Sequence, residues 1–159
     1  MEVFLGLGSN MGDRLGYLEV ALKGLKGLDP DLTVSPVYES APHGGPRAQD
    51  RYLNCVVRLE TDLSARQVLE VARGLEALAG RVRTVRNGPR TLDVDILLAG
   101  DLEVREPDLI VPHPRMNERG FVLAPLEDLD ASRVPPDWRA RLAETDPASL
   151  DVHLVGRLA

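Results

Sequence analysis

The chain has 159 residues, 43% of them hydrophobic, which is enough to bury a core in one domain and excludes a disordered polymer. A net charge of −6 argues against a general nucleic-acid binder, and no apolar run reaches the ~18 residues of a membrane span. The single cysteine, Cys55, excludes an internal disulfide and a multi-cysteine zinc site, and the N-terminus does not read as a secretory signal, so the cytoplasm is the expected compartment.

In chain order, Glu2 to Gly8 reads as a buried strand ending in glycine. Ser9, Asn10, Gly12 and Asp13 form a turn and helix cap. Leu15, Leu18, Ala21, Leu22 and Leu25 follow helical spacing until Gly27 and Pro30. The Gly6-x-Gly8-Ser9-Asn10 turn is too short for a dinucleotide fingerprint, and tight strand-to-helix packing is the simpler reading. Leu32 to Tyr38 is a second strand, with Pro36 marking an edge or bulge. A long loop from Glu39 to Arg51 holds Pro42, Gly44, Gly45 and Pro46; loops of that length are functional or mobile, and it reads as a lid or as a plain disordered connector.

Tyr52 to Thr61 is a third strand. Leu53, Cys55, Val57 and Leu59 make its core face, and Tyr52, Asn54, Val56 and Arg58 the other. Asn54 offers a paired donor and acceptor to a heterocycle, or else satisfies a sheet edge. Ser64 caps a second helix reaching about Ala79, on which Arg73 and Glu76 read as an i, i+3 surface pair. Gly80 ends it. Arg81, Arg83, Arg86 and Arg90 follow, with no acidic residue from Ala77 to Leu92. Arginine suits bidentate contact with phosphate oxygens, and lysine occurs only at Lys23 and Lys26.

The stretch Leu92-Asp93-Val94-Asp95-Ile96 alternates. As a strand it turns its apolar residues one way and both aspartates the other, their Cα atoms roughly 7 Å apart. Two such carboxylates repel unless a cation lies between them, and a pair of divalent ions roughly 4 Å apart on a polyphosphate would fit. Aspartates on a strand also occur merely solvated, and arginine loops merely soluble. Their adjacency favours one ligand that explains both, and so phosphoryl-type transfer. The absence of a Gly-x4-Gly-Lys-Ser/Thr loop excludes a P-loop enzyme.

The order strand, helix, strand, strand, helix, strand predicts a split βαβ arrangement of class α+β: an antiparallel four-stranded sheet with two helices on one face. The other face is free for substrate unless later residues cover it. Beyond it, Leu109 to Val111 reads as a short strand, Met116 to Arg119 as a helical turn and Phe121 to Leu126 as core. One domain over 1–159 is expected, with a core of about 2–127 and a packed tail, 128–159, anchored by Trp138.

Gly88-Pro89-Arg90-Thr91-Leu92-Asp93-Val94-Asp95-Ile96-Leu97, then Val111-Pro112-His113-Pro114-Arg115-Met116 and Arg119-Gly120-Phe121, together resemble the 6-hydroxymethyl-7,8-dihydropterin pyrophosphokinase family of folate biosynthesis. Gly6-Leu7-Gly8-Ser9-Asn10 and Tyr52-Leu53-Asn54 match it too, so the resemblance runs from residue 3 to about 127. It implies a ferredoxin-like fold and transfer of pyrophosphate from ATP to the pterin hydroxymethyl group, releasing AMP. It implies Asp93 and Asp95 as ligands of two Mg²⁺ ions, and Arg81 and Arg90 as catalytic beside them. It places Glu76, Arg81, Arg83, Arg90, Ile96, His113 and Arg119 on the ATP side. Ser40, Pro42, Gly44, Tyr52, Asn54, Asp93 and Phe121 fall on the pterin side. No nucleic-acid or membrane partner is expected, and the chain is expected to act as a monomer. Asn87, Pro114, Arg73 and His43 depart from residues some members carry, which bears on loop closure and binding strength rather than reaction class.

Two other readings stay open on the residues alone. A non-catalytic ligand-binding module of the same fold would not need the aspartates with four loop arginines. A two-metal nuclease or nucleotidyl transferase would use Asp-x-Asp, but the acidic net charge counts against its polyanionic partner.

Overall fold

The computed structural model describes residues 1–42, 50–80 and 91–158. β1 (Glu2–Ser9) leads into α1 (Arg14–Leu25), then β2 (Thr33–Val34), β3 (Val37–Ser40), β4 (Tyr52–Glu60) and α2 (Ala65–Leu78). After β5 (Asp93–Ala99) come a small hairpin of β6 (Val104–Glu106) and β7 (Leu109–Val111), α3 (Gly120–Leu129), α4 (Trp138–Thr145) and β8 (Val152–Gly156). No helix among the described residues is long and apolar enough to cross a membrane.

The main sheet is antiparallel and runs β5-β1-β4-β3-β8, with β2 also paired to β4. It is wider than the four strands expected, because the tail supplies β8. The second expected strand is split at Pro36, whose missing N–H interrupts the ladder. Ser35 patches the break: its N–H donates to Val56 O at 2.9 Å and its Oγ accepts from Val56 N at 2.9 Å.

Both helix starts follow from local chemistry. Asp13 Oδ1 accepts from Gly16 N at 3.0 Å. Ser64 and Gln67 form a reciprocal capping box, each side chain accepting from the other's backbone N–H. Ser64→Ala is therefore expected to cost about 1 kcal/mol of stability, measured by urea denaturation, with turnover unchanged.

The sheet has two buried faces. Val3, Leu5, Leu7, Leu53, Cys55, Val57, Val94 and Ile96 pack against α1 and α2. Leu18, Ala21, Leu22 and Leu25 form the α1 stripe, while Leu15 in its first turn is exposed. On the opposite face Phe4, Val56 and Leu97 pack under Val122, Leu123 and Leu126 of α3 and Trp138 of α4. The face expected to be free is thus roofed over part of its area, and the uncovered part holds the cavity described next.

Candidate active site

β1 is the middle strand of the site. Its register pairs Gly8 with Asn54 on β4 and Asp93 on β5, and Gly6 with Val56 and Asp95. Alternation puts these side chains on the face that α3 partly covers. An open cavity of about 190 Å³ lies there, with Gly6 and Gly8 in its lining. Because neither glycine carries a Cβ, the cavity reaches the bare peptide of the sheet. A Cβ on Gly8 would lie 3.2 Å from Asn54 Oδ1 and 3.9 Å from Asp93 Cβ.

Asp93 and Asp95 line it from β5, with His113, Arg115 and Arg119; Tyr52 and Asn54 line it from β4, and Phe121 from the start of α3. Burial raises the Asp95 carboxyl well above the usual carboxylate range, and the charge and hydrogen bonding of Asp93 add to it. Arg119 opposes that rise, while Glu76 contributes to it. A carboxyl that resists ionising beside a second carboxylate is a group a cation would stabilise. Among the described residues no cluster of three or more His, Cys, Asp or Glu forms a ready-made metal cage. A cation held by the two aspartates would complete its shell with ligand and water oxygens, as Mg²⁺ does on phosphates.

His113 is pushed down to about 4, first by burial and then by Arg119, with Arg115 adding and Asp93 opposing. It is therefore neutral at pH 7. Its Nδ1 accepts from Arg115 N at 3.2 Å, so the ring proton resides on Nε2 as a donor. The Arg119 guanidinium lies 5.6 Å from the centre of the Phe121 ring.

Asn54 is buried, and its Nδ2 donates to Ser40 Oγ at 2.7 Å. That bond fixes the amide so that Oδ1 is the atom near Gly8. Ser40 thus stands behind Asn54 rather than in the cavity wall. Ala41 lines the wall where Pro42 was expected.

One expectation is narrowed and one needs correction. Ile96 is buried in the core against α1 and α2. Strand alternation turns its side chain away from the cavity, so only its main chain is left for a nucleotide. Glu76 is no surface partner of Arg73. It is 5% exposed, and its Oε2 accepts from Val94 N at 3.0 Å, joining α2 to β5 from beneath. Arg73 instead lies 3.3 Å from Asp108, which also binds Arg66 at 2.7 Å. Arg81, Arg83, Arg90 and Gly44 lie outside the described residues, as do His43 and Asn87. The glycine floor was underrated in the sequence. Gly6 and Gly8 share the parity of Phe4, and the pairing of β1 with both site strands shows what that parity means.

The model of a family described as 7,8-dihydro-6-hydroxymethylpterin-pyrophosphokinase (HPPK) matches residues 4–131. The chain belongs to that family. It is 42% identical over 140 residues to the 2-amino-4-hydroxy-6-hydroxymethyldihydropteridine pyrophosphokinase of Pseudomonas aeruginosa, covering 87% of this chain and 86% of that protein. It is 42% identical over 151 residues to the enzyme of the same name from Bacillus subtilis, covering 94% and 88%. Some HPPK relatives are much longer: the chain spans 20% of the folic acid synthesis protein FOL1 of Dictyostelium discoideum, at 39% identity over 84% of itself. The fold matches the solved HPPK-DHPS of Plasmodium falciparum with a TM-score of 0.64 at 13% identity, over 99% of this chain and 48% of that one.

Proposed function

We propose that the cavity binds 6-hydroxymethyl-7,8-dihydropterin and ATP and that the chain transfers pyrophosphate from ATP to the pterin in folate biosynthesis. The observation that carries the reading is one cavity lined both by the carboxylate pair of β5 and by the polar and aromatic side chains of Asn54, Tyr52 and Phe121. In this reading the hydroxymethyl group gives up its proton to water as its oxygen bonds to the β-phosphorus, the bond from that phosphorus to the α–β bridging oxygen breaks, and AMP leaves. Mg²⁺, as two ions held by Asp93 and Asp95, would neutralise phosphate charge and orient the reacting oxygens. Asn54 Oδ1 accepts from an N–H on the pterin edge. Tyr52 and Phe121 flank the ring. The His113 Nε2–H donates to a phosphate oxygen, and Arg119 balances charge beside it. Arg81, Arg83 and Arg90 are assigned to the triphosphate by the family motif alone.

The β5-β1-β4-β3 part of the sheet with α1 and α2 corresponds in this proposal to the ferredoxin-like core. The protein is assigned to the cytoplasm, acting as a monomer. Family membership and the two-sided cavity favour this reading over a non-catalytic module or an enzyme acting on polynucleotides.

The test is a product assay with ATP, Mg²⁺ and the pterin. AMP formed only when pterin is present supports the reading; well-folded protein that forms ADP, or no nucleotide product, defeats it. Gly8→Ala places a methyl on the floor beneath the pterin and is expected to raise the pterin KM by about tenfold or more. Steady-state kinetics with ATP saturating, beside a melting curve, checks that result.

A further inference from the structure

We propose that the segment Ser149–His153 is a strap that holds the two pterin-side walls in register, with Ser149 and Asp151 as positioning residues for the pterin. The inference rests on the pterin reading above. The strap lies beyond residue 131, where the match to the family's model ends.

One end of the strap is fixed to the start of α3. Ser149 is 5% exposed; its Oγ accepts from Gly120 N at 3.0 Å and donates to Glu118 O at 3.0 Å. Those two backbone groups bracket Arg119 and precede Phe121. The contact is backbone against backbone, since a Cβ on Gly120 would lie 2.0 Å from Ser149 O.

The other end is fixed to the Asn54 wall. Val152 pairs with Ser40 and His153 with Glu39, and Ser40 holds the Asn54 amide. Asp151 takes both Nη atoms of Arg51, at 3.1 and 2.8 Å. Arg51 immediately precedes Tyr52 and also reaches Glu39 at 3.3 Å. Arg14 closes the group, bonding Glu39 at 3.1 Å and Arg51 O at 2.8 Å. Five consecutive residues therefore run from the backbone beneath Phe121 to the backbone beneath Tyr52 and Asn54. Gly120, Arg51 and Ser40 each adjoin a cavity-lining residue (Phe121, Tyr52 and Ala41), and none of the strap's contacts named here is made to β5, where the carboxylate pair resides. A planar ring held between Phe121 and the Asn54 wall feels their separation directly.

The experiment compares full-length wild type with Asp151→Asn, Asp151→Glu, Arg51→Gln, the double variant Arg51→Gln/Asp151→Asn, and Ser149→Ala. For each, the pterin KM, ATP KM, kcat and Tm are measured. Asp151→Asn is expected to raise the pterin KM about threefold while ATP KM and kcat stay nearly constant, and Asp151→Glu to recover most of the loss. The double variant should be little worse than Arg51→Gln, because the Arg51–Asp151 pair is already gone and Asp151 retains only its contact with the exposed His153, at 2.7 Å. Ser149→Ala, which leaves Gly120 N–H without its acceptor, should raise the pterin KM about tenfold. Asp151 variants with a lowered Tm and an unmoved pterin KM, or with ATP KM rising in step, would overturn the strap. The Asp151 variants decide the matter if Ser149→Ala does not fold. A wild type that forms no pterin-dependent AMP defeats the functional reading and this inference with it; an active wild type with unmoved variants defeats the strap alone.

Discussion

Replacing Asp95 with asparagine should abolish turnover, by on the order of a thousandfold, and yet make the ligand-free protein more stable. The two effects have one cause. Burial and the neighbouring Asp93 hold the Asp95 carboxyl above its ordinary range, so at neutral pH the fold must hold a proton that the unfolded chain has lost, and that costs stability. A neutral amide of the same shape removes that cost, for a gain of about 1–2 kcal/mol in EDTA at pH 8. Urea denaturation of both proteins, with and without Mg²⁺ and an ATP analogue, checks it. The wild type should gain stability from those ligands, and the variant should gain little. A variant less stable than wild type under EDTA would refute the account of the carboxylate pair.

The sign of the pH dependence sharpens this result. A carboxyl whose folded pKa is raised keeps its proton in the folded state after the unfolded chain has lost it. Its contribution to stability is therefore present at low pH and falls as pH rises from about 3.8. His113 works in the opposite sense. Its folded pKa of about 4 lies below the ordinary 6.5, so its contribution is present above 6.5 and is lost as pH falls towards 4. The two slopes oppose each other over that window in the metal-free protein. Asp95→Asn should leave a stability that rises with pH between about 4 and 6.5, and His113→Gln one that falls. Parallel denaturation series for the two variants, subtracted from wild type, would read each slope.

The second large effect is expected at Glu76. Truncation to alanine leaves Val94 N–H buried with no acceptor, next to the strand that carries both aspartates. A loss of about 2–3 kcal/mol follows from an orphaned donor and the space left behind. Glu76→Gln keeps an acceptor oxygen in place and should lose less than about 1 kcal/mol. It also removes a negative charge that helps raise Asp95. A Glu76→Ala protein as stable as Glu76→Gln would show that the Val94 bond contributes nothing.

Much of this site was legible in the residues. Aspartates at i and i+2 among Leu92, Val94 and Ile96 leave one arrangement in a strand, and the alternation of Tyr52 to Leu59 placed Asn54 on the same face. What could not be read depended on partners remote in sequence. Charge spacing on α2 pairs Glu76 with Arg73, because the sequence does not reveal which face of the helix meets β5. Ile96 matched a nucleotide-side position in the family motif, but its parity sends the side chain to the helices. β8 was invisible because Val152 to Gly156 is short, follows an irregular tail and leaves Leu154 and Val155 exposed, so no burial pattern marks it as a strand. The second core escaped notice because Phe4, Val56 and Leu97 look like isolated apolar residues on a polar face until α3 is laid over them.

The glycine strand has one more consequence. Asn54 and Asp93 flank Gly8 on either side, so they stand two inter-strand spacings apart, about 9.5 Å. That distance is set by backbone hydrogen bonds and hardly yields to side-chain motion. With the substrates bound as proposed, the sheet would serve as a gauge of substrate length, laid between the atom that grips the ring edge and the carboxylates beside the reacting oxygen. A pterin whose side arm is longer by one methylene would register at one end of the gauge only, and selection against it would need no dedicated residue.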